Sequence, residues 1–228
     1  AITFVMEYEK INYPEAIEKI ASMINFTLEY DDTKNEFKVD KKILQIANAY
    51  FQASLYENEV ALKYLYSRGF DDGLIRYFGI GWAGSSEKFM RVLQNEEISL
   101  DEALNVGIIK RNENGVYASF IERITFPIKN HASNLTDFSG RTISNHPAKY
   151  VNSPQSAVFD KSRVFYAYDL AKPNAIKKKS IIITEGYMDT IMLHKAGIDN
   201  AVAVLGTALT SEHLPLLRRL ECDVILSF

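Results

Sequence analysis

Two carboxylates four residues apart, Glu185 and Asp189 in the stretch IIITEGYMDT, are the side chains best placed to hold a divalent cation. Hard cations take oxygen ligands, and a cation so held can activate a hydroxyl or neutralise a phosphate. Three isoleucines lead into Thr184 and Glu185, and Gly186 follows. A β-branched run that meets glycine and then an amphipathic segment reads as a buried parallel strand passing into a helix. Glu185 then stands at the carboxyl end of the strand, where open parallel sheets gather their ligands, and Gly206-Thr207 marks a second such end. Glycine permits a close backbone approach there, and the helix starts offer free amides to phosphate. Taken by spacing alone, the same residues also fit a plain strand-to-helix turn, with Asp189 complementing the helix dipole.

A second set of residues points to polyanions. In FSGRTISNHPAKYVNSPQSAVFDKSRVFYAYD, Arg141, Lys149, Lys161 and Arg163 alternate with Tyr150, Asn152, Phe159 and Tyr166. Cations suit phosphates, flat rings suit bases and amides suit hydrogen bonding. Residues 141–179 hold eight Lys/Arg against two Asp/Glu, whereas residues 180–228 hold three against six, so the overall charge of −3 conceals a basic block beside an acidic one. That arrangement suits a polyanion held next to a cation-dependent site, and by composition alone it also fits a solvated basic face.

The elements that must position these groups follow from periodicity. NYPEAIEKIASMI predicts a short helix with Ile17, Ile20 and Ile24 on one face, and EYDDTKNEFKVD predicts a linker. Two helices follow from Asp40, the second closed by Gly69; a third is stopped by Gly79, and a fourth is announced by the Ser99/Glu102 capping box and ends at Gly107. Asn114-Gly115 between β-rich runs predicts a hairpin, and ERITFPIKNHASNLTDFSGRTI two more strands, with Pro127 at an edge. SRVFYAYDLAKPNAIKKK predicts a helix and a lysine-rich loop. After these come strand 180–184, helix 187–196, strand 201–205, helix 211–220 and strand 223–228, which together imply βαβ units and a parallel sheet.

Composition excludes several classes. A single cysteine, Cys222, cannot form an internal disulfide or by itself a thiolate metal site, and it reads as a small hydrophobe beside a strand. His131, His146, His194 and His213 lack ligand spacing and are assigned to structure or surface, and Trp82 to packing. No apolar run reaches the ~20 residues of a membrane-spanning helix, and no signal-peptide pattern opens the chain. A cytoplasmic protein is expected, and the ends, AITFVMEYEK and DVILSF, read as those of a fragment.

ITEGYMDTIMLHKAGIDNAVAVLGTALTSEHL closely resembles the start of the Toprim domain, and RITFPIKN, FSGRTI and AKYVNSPQSAVFDKSRVFYAYDLAK resemble the region before it in DnaG-type bacterial primases. With IRYFGIGWAG the resemblance spans nearly the whole chain. It implies an α/β protein: the end of a zinc-domain helix and a linker over 1–39, a mixed α+β basic lobe over 40–162, and a Rossmann-like Toprim lobe of parallel strands over 163–228. It further implies synthesis of short RNA primers on single-stranded DNA by metal-dependent nucleotidyl transfer. Glu185 would be the Toprim glutamate, a metal ligand or acid/base residue, and Asp189 its companion acid. Arg76, Arg141, Lys149, Tyr150, Asn152 and Lys161 would line the groove for template, primer and ribonucleoside triphosphate.

The same resemblance implies Mg2+ or Mn2+ as cofactor, with zinc confined to a preceding domain. Replicative helicase and single-strand-binding protein are implied as partners through other regions. Further metal ligands are expected beyond Phe228, so the fragment is expected to be inactive alone. Two other readings remain open from the residues: a non-catalytic single-strand-binding module, or another Toprim enzyme, a nuclease or topoisomerase.

Overall fold

The structure is a computed structural model that describes residues 2–9, 11, 13–24, 26, 35–152, 164–206 and 209–228, the side chains of 14, 15 and 35–40 excepted. The chain opens with a helical pair, α1 (Ile2–Glu9) and α2 (Tyr13–Met23). In α2 the small residues Ala16 and Ala21 take the buried positions, leaving Ile17 and Ile20 half-buried and Ile24 exposed. α3 (Asn35–Tyr56) begins earlier than expected, inside the stretch read as a linker. Polar residues such as Glu and Lys are good helix formers, and they extend a helix whose apolar stripe lies further on. That stripe is Ile43, Leu44, Ala47, Phe51 and Leu55, all buried. The rest of the expected linker, up to residue 34, lies largely outside the described residues.

α4 (Glu59–Ser67) starts on Asn58, whose Oδ1 accepts the Ala61 amide at 3.0 Å, and gives way to Gly69 at φ +86°. α5 (Asp72–Phe78) starts on Asp71 and stops at Gly79, as the sequence predicts. Strand β1 (Gly81–Ala83) then crosses α3 so closely that a Cβ on Gly81 would lie 2.6 Å from the Phe51 carbonyl carbon. α6 (Ser86–Asn95), capped by Ser85, was not anticipated; α7 (Leu100–Asn105) carries the predicted capping box.

β2 (Ile109–Asn112) and β3 (Gly115–Ala118) form the predicted hairpin, one residue out of the expected register. The Asn112 side chain accepts the Asn114 amide at 2.9 Å, so the turn centres on Glu113-Asn114 and Gly115 becomes the first strand residue. β4 (Arg123–Lys129), β5 (Leu135–Thr142) and β6 (Tyr150–Asn152) join β1 in an antiparallel sheet of order β1-β4-β5-β6. β1 pairs only with Arg123–Thr125, so Pro127 sits where β4 has no outer neighbour. A proline lacks the amide that such a neighbour would need.

α8 (Tyr168–Lys178) absorbs most of the expected lysine-rich loop, its last turn carrying Lys177 and Lys178. β7 (Ser180–Thr184), α9 (Tyr187–Lys195), β8 (Ala201–Ala203), a 3₁₀ turn (Ser211–His213), α10 (Leu214–Arg218) and β9 (Asp223–Ser227) complete the chain. The sheet is parallel with order β8-β7-β9, so the isoleucine strand is central. The helix predicted over 211–220 is broken because Pro215 can only sit near a helix start. β9 leaves Val224, Ile225, Leu226 and Phe228 exposed.

One apolar cluster fills the N-terminal lobe around Phe51, Phe89, Phe120 and Phe138, and another surrounds β7 with Phe165, Ile181, Ile183 and Val202. Between them a third cluster, with Phe78, Ile124, Phe126, Tyr166 and Tyr187, joins the antiparallel sheet to α9 and β8. At the far end of α9, Lys195 Nζ donates to the Gly69 carbonyl and lies 3.4 Å from the Asp71 carboxylate. Among the described residues no helix is long and apolar enough to cross a membrane.

Candidate functional site

β7 ends at Thr184, and the next residues carry the acidic wall. Thr184 Oγ1 lies 2.7 Å from Thr190 Oγ1 and 3.3 Å from the Val202 carbonyl in the interior, and 3.3 Å from the Gly186 carbonyl, which is partly buried. This buried cluster fixes the turn from strand to helix. Gly186 is the N-cap of α9 with φ −122°, an extended backbone that needs no glycine. A Cβ there would lie 2.7 Å from Asp189 Oδ2, the end of an exposed carboxylate that folds back over the turn and would have to move aside. Glu185 and Asp189 are both exposed to solvent.

The opposite wall comes from the antiparallel sheet. Arg141 of β5 pairs in register with Tyr150 of β6, and Asn152 follows on the same face two residues on. Arg141 is only 6% exposed. Its Nε donates to the Tyr64 hydroxyl of α4 at 2.8 Å, Nη1 donates to the Tyr150 hydroxyl, and the guanidinium lies 5.0 Å from the Tyr150 ring centroid. Burial opposes the guanidinium charge, and the Tyr150 and Tyr64 oxygens more than offset it, holding the pKa above its ordinary value. Burial, opposed by Arg141, pushes the Tyr150 phenol up.

Asn152 spends most of its amide on the fold. Its Oδ1 accepts the Tyr187 hydroxyl at 3.1 Å and its Nδ2 donates to the Leu205 carbonyl at 3.2 Å, leaving one N–H for a ligand. Lys149 is exposed on the loop before β6. Buried Arg123 holds that loop from beneath, Nη1 donating to the carbonyls of Ala148 at 3.0 Å and Lys149 at 3.4 Å.

The two walls enclose one cleft of about 830 Å³. Glu185, Asp189, Arg141, Lys149, Tyr150 and Asn152 all line it, so six of the eight sequence-predicted residues come together. Arg76 does not. Ile75 and Phe78 bury the inner face of α5, which turns Arg76 outward toward Tyr66 and Asp72, an exposed position away from the cleft. Lys161 lies outside the described residues, as do Phe159, Arg163 and Thr207. Sequence reasoning missed Arg68, which also lines the cleft, and Tyr64 and Tyr187, which position its basic wall. The four-residue step from Tyr64 to Arg68 on a helix ended by Gly69 was the available signal for the first two.

The remaining readings fall as follows. Trp82 packs in the core at 7% exposure, and Cys222 packs half-buried against the β7 cluster. His194 donates its Nε2–H to the Ala201 carbonyl at 2.8 Å, and His213 Nδ1 accepts the Thr210 amide, closing that turn.

Residues 50–172 match the family described as DNA primase catalytic core, N-terminal domain, and residues 179–228 match the Toprim domain family. The chain belongs to the DNA primase catalytic core family. It is 55% identical to the DNA primase of Campylobacter jejuni over 231 aligned residues, covering all of this chain and 38% of that protein. The structure of the Aquifex aeolicus primase zinc-binding and RNA polymerase domains superposes with a TM-score of 0.80 at 32% identity, covering 99% of this chain and 56% of that one. The RNA polymerase domain of the Mycobacterium tuberculosis primase, solved with a double-stranded DNA bearing a 6-nucleotide overhang, gives 0.78 at 31% identity over 84% of this chain and 64% of that one. The primase core chain therefore spans well under half of the C. jejuni relative. Its α/β architecture is that of the family.

Proposed function

We propose that this chain forms the nucleotidyl-transfer core of a DNA primase, which extends an RNA primer on a single-stranded DNA template from ribonucleoside triphosphates. One observation carries the reading: the carboxylates Glu185 and Asp189 face Arg141 and Lys149 across a single cleft. In-line transfer forms a bond from a primer 3′-hydroxyl to the α-phosphorus and breaks the bond to pyrophosphate. Such chemistry needs anionic ligands for a cation on one side and cationic groups for phosphates on the other.

Glu185 and Asp189 are hard oxygen donors, and since no group of three or more His, Cys, Asp or Glu is gathered for a metal among the described residues, this pair would supply two ligands only. Two carboxylates fit Mg2+, or Mn2+ in its place, which typically takes one or two from protein and the rest from water and substrate phosphates. When bound there, the cation would activate the hydroxyl and neutralise the leaving group. Arg141 and Lys149 would hold the phosphate chain, Tyr150 would present its ring edge to the nucleotide, and Asn152 its one remaining N–H. Lys161 is proposed for the same groove on family resemblance. The M. tuberculosis neighbour was solved with overhanging DNA, which supports nucleic acid as the ligand class. Replicative helicase and single-strand-binding protein are proposed partners of the longer polypeptide, and the cytoplasm its compartment.

A non-catalytic binding module would need Arg141 and Lys149 but not Glu185. Glu185→Gln in the polypeptide containing this chain is therefore expected to lower template-dependent ribonucleotide incorporation by about 100-fold or more, an effect typical of removing transition-state charge stabilisation. Single-strand affinity should change less than about two-fold, because the binding cations are untouched. Wild-type incorporation by Glu185→Gln would overturn the catalytic assignment.

A further inference from the structure

The cleft is not polar throughout. Met188, Val204 and Leu209 line it together with Glu185 and Asp189, on the side of the parallel sheet. All three stand at the carboxyl edge of that sheet: Met188 in the first turn of α9, Val204 directly after β8, and Leu209 beyond the turn at Gly206. The Val204 amide donates to the Thr184 carbonyl at 3.2 Å, which sets this residue beside the turn into Glu185. Val204 is buried, whereas Met188 and Leu209 are half-buried, Met188 packed against the cluster that joins the lobes and Leu209 against the cluster around β7. Each is thus backed by a core and keeps apolar surface toward the cleft. Ligand sites combine a few placed polar groups with apolar walls that take the uncharged parts of the ligand.

We propose that Met188 and Leu209, over Val204, form a ledge that seats a nucleobase. A nucleotide carries phosphate at one end and a flat ring with an apolar face at the other, one sugar apart. Arg141 and Lys149 answer the first part from the opposite wall, and the aliphatic ledge answers the second. Contact with the face of a base leaves its hydrogen-bonding edge unread, so the seat is tolerant of sequence. Both a nucleic-acid strand and a ribonucleoside triphosphate present such a ring. This inference rests on the reading that the cleft takes nucleotides.

The test compares ligands with and without bases, using the polypeptide that contains this chain. A fluorescent oligo-dT and an abasic oligomer of equal length are titrated by anisotropy, and UTP and inorganic tripolyphosphate by competition, at fixed ionic strength. Met188→Ala and Leu209→Ala are each expected to weaken oligo-dT, UTP or both by about five-fold. The abasic oligomer and tripolyphosphate should change less than about two-fold, which a general loss of structure would not spare. Leu209→Met keeps the apolar surface and is expected to hold the base-bearing ligands within about two-fold of wild type. Weakening of oligo-dT alone assigns the seat to the strand, and of UTP alone to the nucleotide. The ledge is overturned by unchanged oligo-dT and UTP in both alanine variants, by equal losses with and without bases, or by a Leu209→Met loss as large as that of Leu209→Ala. Should the wild type bind neither the abasic oligomer nor tripolyphosphate, the phosphate reading of the cleft fails; should it bind both and gain nothing from a base, the ledge alone fails.

Discussion

The Tyr187 hydroxyl donates to Asn152 Oδ1 at 3.1 Å, tying the first turn of α9 to the last residue of β6. Residues 35 apart in sequence thereby register the acidic wall against the basic one. Tyr187 also stacks on Phe126 at 5.7 Å and meets Tyr166 edge-on at 4.9 Å, so its ring is fixed independently of its oxygen.

Tyr187→Phe should therefore keep the packing and lose one partly buried hydrogen bond, that to Asn152 Oδ1. The expected destabilisation is about 1–2 kcal/mol, read from urea denaturation. The phenol also makes stability depend on alkaline pH. Burial pushes its pKa up to about 12, against about 10 in an unfolded chain. The folded state thus favours the protonated form, and this contribution is complete below about pH 10 and is lost as pH rises toward 12. Tyr187→Phe should flatten the fall in stability across that window, although Tyr166, also raised by burial, will keep part of it.

Gly186→Ala tests the acidic wall without touching a carboxylate. The backbone there is extended, so alanine adds no conformational strain, but its Cβ displaces Asp189 Oδ2 from a position 2.7 Å away. Stability should change by less than about 1 kcal/mol. Mn2+ affinity, measured by calorimetry or by paramagnetic relaxation of water protons, should fall several-fold.

Lys149→Ala and Arg76→Ala separate the cleft from the outer face of α5. Removing one phosphate contact should lower the slope of log affinity against log salt by about 0.7 for single-stranded DNA. Lys149, which lines the cleft, is expected to show that loss; Arg76, which does not, should leave the slope within error. Equal effects from the two would extend the strand path across α5.

What could be read in advance divides along a physical line. Local chemistry was legible: the Ser99/Glu102 capping box, the stop at Gly79 and the isoleucine strand entering Glu185 each depend on neighbours in sequence. α6 was hidden because its start, Ser85-Ser86 after Gly84, reads as loop, and the early start of α3, a helix expected from Asp40, because its first turns are polar. In the candidate site, residues announced by type and density, Arg141, Lys149 and Tyr150, were found. Tyr64 was not, since its spacing to Arg68 is the one local sign of it and its bond to Arg141 spans 77 residues. Arg76 lies outside the cleft for the converse reason, since its type fits the groove while the helix face it occupies is turned to solvent.

Lys195, reaching back to Gly69 and Asp71, acquires significance beside the bond at the other end of its helix. α9 is strutted fore and aft by the neighbouring lobe, and both contacts oppose a swing of the helix that carries Asp189. The spacing of the two walls is thereby set from both tips of one helix.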